Sequence, residues 1–211
     1  MIFENKLIAG VLVKRYKRFF VDIKVKNKLI TAHCPNTGSM MGLLKKGNKV
    51  WFTENNDIKR KLKYTLQIIE VNGKKVGINT HITNKIFYEA LKSGKILNLK
   101  KSDKLFKEKN FNSKTRFDFF IENGGRGCFI EVKNVTLSRL KNLAEFPDAI
   151  TERGLKHISE LIEAKNRGFE IYLAFVIQRE DCKKFKIAGD IDPKYKKLLK
   201  ISLKNKLKVI C

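Results

Sequence analysis

The spacing of apolar residues changes once along this chain, near residue 80, and that change limits the architectures open to it. Before it, LIAGVLVKRY (residues 7–16) and FFVDIKVK (19–26) alternate apolar and polar side chains, the period of strands with one buried face. LITAH (29–33) follows across Asn27-Lys28, a tight-turn pair, and then come KVWFT (49–53), KYTLQIIEV (63–71) and KKVGIN (74–79). The last two are joined by Asn72-Gly73, the strongest short hairpin signal between alternating runs. About six short strands in so little chain predict an OB-like β-barrel over residues 1–81. An SH3-like barrel or a simple antiparallel sheet fits the same count.

Beyond the change the pattern mixes helix and strand. Thr83 is expected to cap a helix running through about Ser93, with Ile86, Phe87, Ala90 and Leu91 on one side and Gly94 as its stop. A lysine-rich connector leads to the hairpin RFDFFIENGGRGCFIEVK (116–133), and a loop containing EFPDA (145–149) follows it. GLKHISELIEAKNRG (154–168) predicts a helix, IYLAFVI (171–177) a fully buried strand, DPKYKKLLKISLKNK (192–206) a helix begun by Pro193, and LKVIC (207–211) a last strand. Residues 82–211 are thus expected to form an α/β domain, giving a two-domain chain of α+β and α/β character.

Composition excludes several classes. With 43% hydrophobic residues the chain can build a core, but its longest apolar run falls far short of a membrane span. MIFENKLIAG carries an early acidic residue and no cleavage site, unlike a secretory leader, so a cytoplasmic protein without a membrane partner is expected. Cys34, Cys128, Cys182 and Cys211 are scattered with no C-x-x-C pair, which argues against a disulfide framework or a zinc ribbon.

The net charge of +25, from 46 Lys+Arg against 21 Asp+Glu, favours a polyanionic partner, because neutralising phosphates releases counterions. Richness in Lys, Asn and Ile also fits an AT-biased genome. Arginine is the more telling cation: Arg15, Arg18, Arg116, Arg153 and Arg179 all fall within motifs, where a planar donor fork suits phosphate or carboxylate.

The hairpin carries the chemistry. If its turn is centred between Gly124 and Gly125, Asp118 lies directly opposite Glu131, and Lys133 shares their face with Arg116 across from it. Opposed carboxylates repel. A divalent cation, Mg²⁺ or Mn²⁺, held by Asp118, Glu131 and the backbone carbonyl of Val132 would compensate them. Lys133 would then stabilise charge developing on a phosphate. The same residues also suit a solvent-facing lattice of acids and bases. Glu89, on the preceding helix, is a weaker metal ligand, and Gln178 and Arg179 end the buried strand, where α/β domains place ligands.

Three further motifs bear on binding. KRYKRFF (14–20) offers Lys14, Arg15, Lys17 and Arg18 to phosphates and an aromatic ring to a base, with Phe19 or Phe20 assigned to the core. HCPNTGSM (33–40) is a turn-rich loop whose Asn36, Thr37 and Ser39 bond backbone or phosphate. In FPDAITERGLKHISEL (146–161), Arg153 and His157 lie one helical turn apart, with Lys156 beside them, and Asp148 and Thr151 suit the helix cap.

The helix–hairpin–helix–strand order resembles the core of the PD-(D/E)xK (restriction-endonuclease-like) superfamily, with Phe117 in place of the eponymous proline. More specifically, KRYKRFFVDI, TAHCPNTGSM, RFDFFI, CFIEVKNVTL, FPDAITERGLKHISEL, AFVIQR and DIDPKY, in that order, resemble the sugar fermentation stimulation protein family over nearly the whole chain. That resemblance implies an OB-like N-terminal domain, a PD-(D/E)xK-like C-terminal domain, DNA binding and a link to the regulation of sugar metabolism genes. Two functions are therefore expected in competition: a Mg²⁺-dependent nuclease, or a DNA-binding regulator of sugar (maltose) genes that does not cut. RNA is a further possible partner, since an OB barrel does not distinguish it from DNA.

Overall fold

A computed structural model of the chain describes residues 3–57, 59–96, 99, 104–123 and 126–211, with the side chains of Asn123 and Arg126 left aside. Along the chain run β1 (Leu7–Tyr16), β2 (Phe20–Val25), β3 (Lys28–His33), β4 (Lys49–Glu54), β5 (Tyr64–Val71), β6 (Lys74–Gly77) and α1 (Thr80–Lys92). There follow β7 (Leu105–Asn110), β8 (Arg116–Asn123), β9 (Arg126–Val135), β10 (Leu137–Leu140), β11 (Asn142–Phe146) and α2 (Glu152–Asn166). The chain ends with β12 (Glu170–Ile177), β13 (Cys182–Ile187), α3 (Pro193–Lys204) and β14 (Lys208–Ile210).

Two compact units result. The first gathers Met1–Ile82, Val135–Asp148 and Ile177–Lys186; the second gathers Thr83–Asn134, Ala149–Val176 and Ile187–Cys211. The expected division into 1–81 and 82–211 has a single crossing, whereas the chain crosses after residues 82, 134, 148, 176 and 186. Backbone pairing explains the two returning segments. β10, β11 and β13 form a three-stranded sheet of their own, and the Gly77 N–H donates to the Gln178 carbonyl at 2.9 Å.

In the first unit six strands lie in the order β3-β2-β1-β4-β5-β6, and β3 also pairs in parallel with β5 through Ala32 and His33. The alternation seen in the sequence puts Leu12, Val21, Ile23, Val50, Phe52, Leu66 and Ile69 in one core. The Asn72-Gly73 turn forms as expected, with φ of 51° and 74°, values that a tight hairpin needs and that Asn and Gly tolerate. The turn expected at Asn27-Lys28 sits one residue earlier, since Val25 pairs with Lys28 and Lys26 takes the positive φ.

The second unit is a five-stranded sheet ordered β14-β12-β9-β8-β7. α1 presses Phe87 and Leu91 against Phe119, Ile121, Ile130 and Tyr172. α1 starts three residues before Thr83, which is buried within it. Asn79 takes the capping role instead, its Oδ1 accepting the His81 N–H at 3.0 Å. α2 is capped by Thr151, whose Oγ1 accepts the Gly154 N–H, and Gly168 with φ of 93° follows its end. α3 is capped by Asp192, with Pro193 as its first residue. Two segments expected as connector and loop are strands: β7, and β11 running into EFPDA. Their apolar residues are too few and too irregularly spaced to show a period, and pairing with β8 and β10 supplies the order instead.

Candidate functional site

The hairpin of β8 and β9 keeps the register that a turn at Gly124-Gly125 requires. Asn123 pairs with Arg126, Ile121 with Cys128 and Phe119 with Ile130; the two glycines themselves lie outside the described residues. The next rung, Asp118 opposite Glu131, departs from a regular ladder. Asp118 reaches across to the neighbouring strand with its side chain, its Oδ2 accepting the Val132 N–H at 2.8 Å. Its Oδ1 accepts from the Asn84 amide at 2.7 Å. The expected role of Val132 was carried by its carbonyl; its N–H is what engages Asp118 here.

Asp118 opens onto a cleft of about 530 Å³ lined by Asn84, Lys85, Tyr88, Glu89, Lys107, Glu108 and Phe119. Glu89 therefore shares the cleft with Asp118. So does Glu108, which sequence reasoning left without a role. Lys107 pairs with Phe119 and Lys109 with Phe117, so Glu108 stands across from Asp118. It does so with φ of 52°, a left-handed backbone that a non-glycine residue adopts at a cost and that recurs at functional sites. Periodicity carries no sign of such a residue.

Glu131 is 3% exposed and sits at the centre of a buried polar cluster. Its Oε1 accepts from Lys133 Nζ at 2.6 Å and contacts His157 Nδ1. Lys133 Nζ and His157 Nδ1 lie 3.3 Å apart, and Arg153 Nε is 3.4 Å from His157 Nε2. The helical spacing of Arg153 and His157 thus puts both on the face of α2 that meets the hairpin. Glu131 Oε2 is buried with no hydrogen-bond partner among the described residues.

The electrostatics separate the two carboxylates. Burial, and next the charge of Glu131, push the Asp118 carboxyl up to about 6. Burial also pushes Glu131 upward, but Lys133 and His157 together outweigh it and hold Glu131 below the usual range. The arrangement is thus one ionised glutamate beside an ammonium, and one aspartate whose ionised form is costly. Among the described residues no three His, Cys, Asp or Glu side chains gather as a ready-made metal cage.

The remaining expected contacts divide as follows. Arg116 is exposed and pairs with Glu108 at 3.2 Å, and Lys156 Nζ lies 3.3 Å from the Lys114 carbonyl. In the first unit, Arg15 donates to the carbonyls of Asn36 (2.7 Å), Arg18 (2.8 Å) and Gly38 (3.1 Å), clamping the loop after β3. Lys14 lies 3.8 Å from Asp22, while Lys17 and Arg18 are exposed in the β1–β2 turn. Arg179 is committed to Asp181 by two bonds and to the Thr136 carbonyl, and the Gln178 backbone holds Val135 and Gly77. Asn36 and Ser39 bond within the protein, Asn36 to Ile78 and Ser39 to Asp148. Asp148 therefore serves that loop and leaves the α2 cap to Thr151. Neither Phe19 nor Phe20 lies in the core: Phe19 is exposed at 40% and Phe20 is half-buried.

Two family models match successive stretches of the chain. The sugar fermentation stimulation protein RE domain matches residues 81–211, and the SfsA N-terminal OB domain matches residues 13–78. The chain belongs to the sugar fermentation stimulation protein family. A family homolog from Pelagibacter ubique is 51% identical over 195 residues, 92% of this chain and 84% of that one. Another from Sinorhizobium medicae is 42% identical over 92% of this chain and 82% of its own. Pyrococcus furiosus SfsA, solved in complex with Ca²⁺, superposes with a TM-score of 0.88 at 26% identity, covering 99% of this chain and 88% of that one. No helix among the described residues is long and apolar enough to cross a membrane.

Proposed function

We propose that this member of the family is a DNA-binding, divalent-metal-dependent phosphodiester hydrolase with a PD-(D/E)xK-type site at Asp118, Glu131 and Lys133. One observation carries the reading: two carboxylates from adjacent strands are held in buried surroundings where the charge of one raises the proton affinity of the other. Such an arrangement opposes stability and suits a cation, and perturbed carboxylates in a cleft mark functional sites. The donor set fits a hard cation. Asp118, Glu89 and Glu108 line one cleft, and Glu131 has a buried oxygen with no hydrogen-bond partner among the described residues. Pyrococcus furiosus SfsA is in complex with Ca²⁺, a cation with the same preference for carboxylate oxygen as Mg²⁺ and Mn²⁺.

When bound, the cation would supply Lewis acidity toward a phosphoryl oxygen and a nucleophilic water at neutral pH. The protein's own groups do the rest. Asn84 and the Val132 N–H fix the Asp118 carboxylate in one orientation. Lys133 places an ammonium beside Glu131, where it stabilises negative charge on the scissile phosphate. His157 and Arg153 hold the Glu131–Lys133 pair from α2. The +25 chain supplies backbone affinity, and RNA is an alternative substrate.

A second reading, a DNA-binding regulator without cleavage, draws support from the two donors already on Glu131 Oε1, which keep that carboxylate compensated without any metal. Incubation of the pure protein with single-stranded, duplex and branched DNA and with RNA, with Mg²⁺ or Mn²⁺ and with chelator, separates the two. Metal-dependent cleavage lost in Asp118→Ala with binding retained is the expected result. Binding without cleavage on every substrate would leave the regulator.

A further inference from the structure

The β1–β2–β3 sheet carries rings on one face. Tyr16 pairs in register with Phe20, and Phe20 with His33, so the three side chains project from the same side. Tyr16 and Phe20 stack at 5.6 Å with planes 19° apart. Phe19, next along the turn, stacks on His33 at 6.3 Å and 27°. None of the four belongs to the core of the unit, and Phe19 is 40% exposed.

How Phe19 comes to be exposed follows from the turn. Lys17 and Arg18 take φ of 44° and 62°, so the chain reverses tightly and the Phe19 N–H returns to the Lys17 carbonyl at 2.7 Å. The Phe19 carbonyl then accepts the Cys34 N–H at 2.8 Å, tying the end of β3 beside it. A large apolar ring is thereby anchored by backbone bonds while its side chain faces water. Core packing does not require it there, since Val21 and Ala32 fill the opposite face of the same strands.

Cations surround the rings. Lys14 Nζ lies 5.3 Å from the Tyr16 ring, and Lys17 and Arg18, both exposed, immediately precede Phe19 in the chain. Arg60, exposed in the β4–β5 connection, is close enough to act on His33. Burial first, then Arg60 and His81, lowers the proton affinity of His33, which favours a neutral imidazole behind Phe19.

We propose that this aromatic face, with Phe19 as its exposed ring, is a binding platform for unpaired nucleotides, so that the protein engages nucleic acid through a single-stranded segment. The proposal rests on the nucleic-acid half of the functional reading above and adds the form of the substrate. Stacked rings with interspersed cations match the two surfaces of a single strand: bases offer π faces and phosphates offer charge. In a duplex those faces are occupied by neighbouring base pairs, so an exposed ring gains little from it. Arg15, whose donors are committed to carbonyls, contributes by holding the loop that follows β3.

Fluorescence anisotropy of the full-length protein tests this, with chelator present so that no cleavage occurs. The probes are labelled oligothymidylate and its duplex with oligoadenylate of equal length. Wild type is expected to bind the single strand more tightly than the duplex. Phe19→Ala should weaken single-strand binding by about five- to one-hundred-fold and leave duplex binding unchanged, and Phe19→Trp should restore it. Phe19 is exposed, so its removal does not open the core. Unchanged single-strand affinity in Phe19→Ala, or an equal loss on both probes, overturns the platform alone. Failure of wild type to bind either probe at low salt overturns the nucleic-acid reading together with it. Binding sensitive to Phe19 in a protein that never cleaves supports the platform and removes only the hydrolase.

Discussion

Asp118 Oδ2 accepts the backbone N–H of Val132 at 2.8 Å, so a carboxylate does the work of a ladder bond between β8 and β9. Burial, and next the Glu131 charge, nonetheless leave its carboxyl with a pKa of about 6. An acid whose folded pKa is raised contributes stability at low pH and loses it as pH rises through the folded value. For Asp118 the window runs from about pH 4 to pH 6. Without metal, Asp118→Asn should therefore stabilise the protein at neutral pH, by at most about 3 kcal/mol, while abolishing metal-dependent cleavage. Urea melts of both proteins in chelator, above and below this window, check it: the gain should be present at neutral pH and shrink in acid.

Glu131 is buried and Lys133 partly so, with side chains 4% and 12% exposed and 2.6 Å between Nζ and Oε1. Removing the ammonium leaves Glu131 with His157 as its remaining partner. Lys133→Met should cost about 3–5 kcal/mol at neutral pH, the usual consequence of orphaning a buried charge. The loss should shrink in acid, where Glu131 can protonate. Adding Glu131→Gln should recover a large part of it, so the double-mutant cycle should show a coupling of about 1–3 kcal/mol. Equal, additive losses would mean that the two groups do not sense each other.

Much of this was readable before any coordinates. Alternation showed β1 to β6, and Asn72-Gly73 showed the turn between β5 and β6, because both signals are local. The hairpin register could be counted from its glycine pair. The returning segments β10, β11 and β13 were not readable: β10 and β11 pair with each other through an irregular register, and β13 joins them beside β11, a partner distant in sequence. At the candidate site, the spacing of Arg153 and His157 placed them on one face, but only packing of α2 against β9 shows that His157 meets Glu131 and Lys133. Glu108 was hidden for a different reason: its place depends on a left-handed backbone within β7, which no residue pattern announces. Arg15 looked like a phosphate contact because charge is visible in sequence and the commitment of its donors is not.

That last difference gives a test among the cations of KRYKRFF. Arg15 is engaged with the Asn36, Gly38 and Arg18 carbonyls, whereas Arg18 and Lys17 are exposed. Arg15→Ala should lower stability by about 1–3 kcal/mol, since the part-buried carbonyls of Asn36 and Gly38 lose a charged donor, and should leave the salt dependence of DNA binding nearly unchanged. Arg18→Ala should do the reverse, reducing the slope of log K against log salt by about 1 with little effect on stability. Thermal melts and salt-titrated anisotropy on the two variants distinguish them.

Glu145, with a side chain 0% exposed, receives the Arg139 Nη2 at 2.7 Å, its Nε at 2.9 Å, and Lys186 Nζ at 3.3 Å. The Arg139 bonds, against the opposing effect of burial, hold its carboxyl down to about 2. An acid depressed on folding contributes stability above its unfolded pKa, near 4.5, and loses it as pH falls through the folded value. The contribution should therefore be complete at neutral pH and fade between about pH 4.5 and pH 2. Arg139→Ala should destabilise the protein by about 3–5 kcal/mol at neutral pH, because the carboxylate stays buried with Lys186 and the backbone N–H of residue 139 as its remaining partners. In acid the gap between variant and wild type should narrow as Glu145 protonates. Denaturation midpoints measured across that range test the sign directly, and a difference that stays constant with pH would show that Arg139 acts by packing rather than by charge.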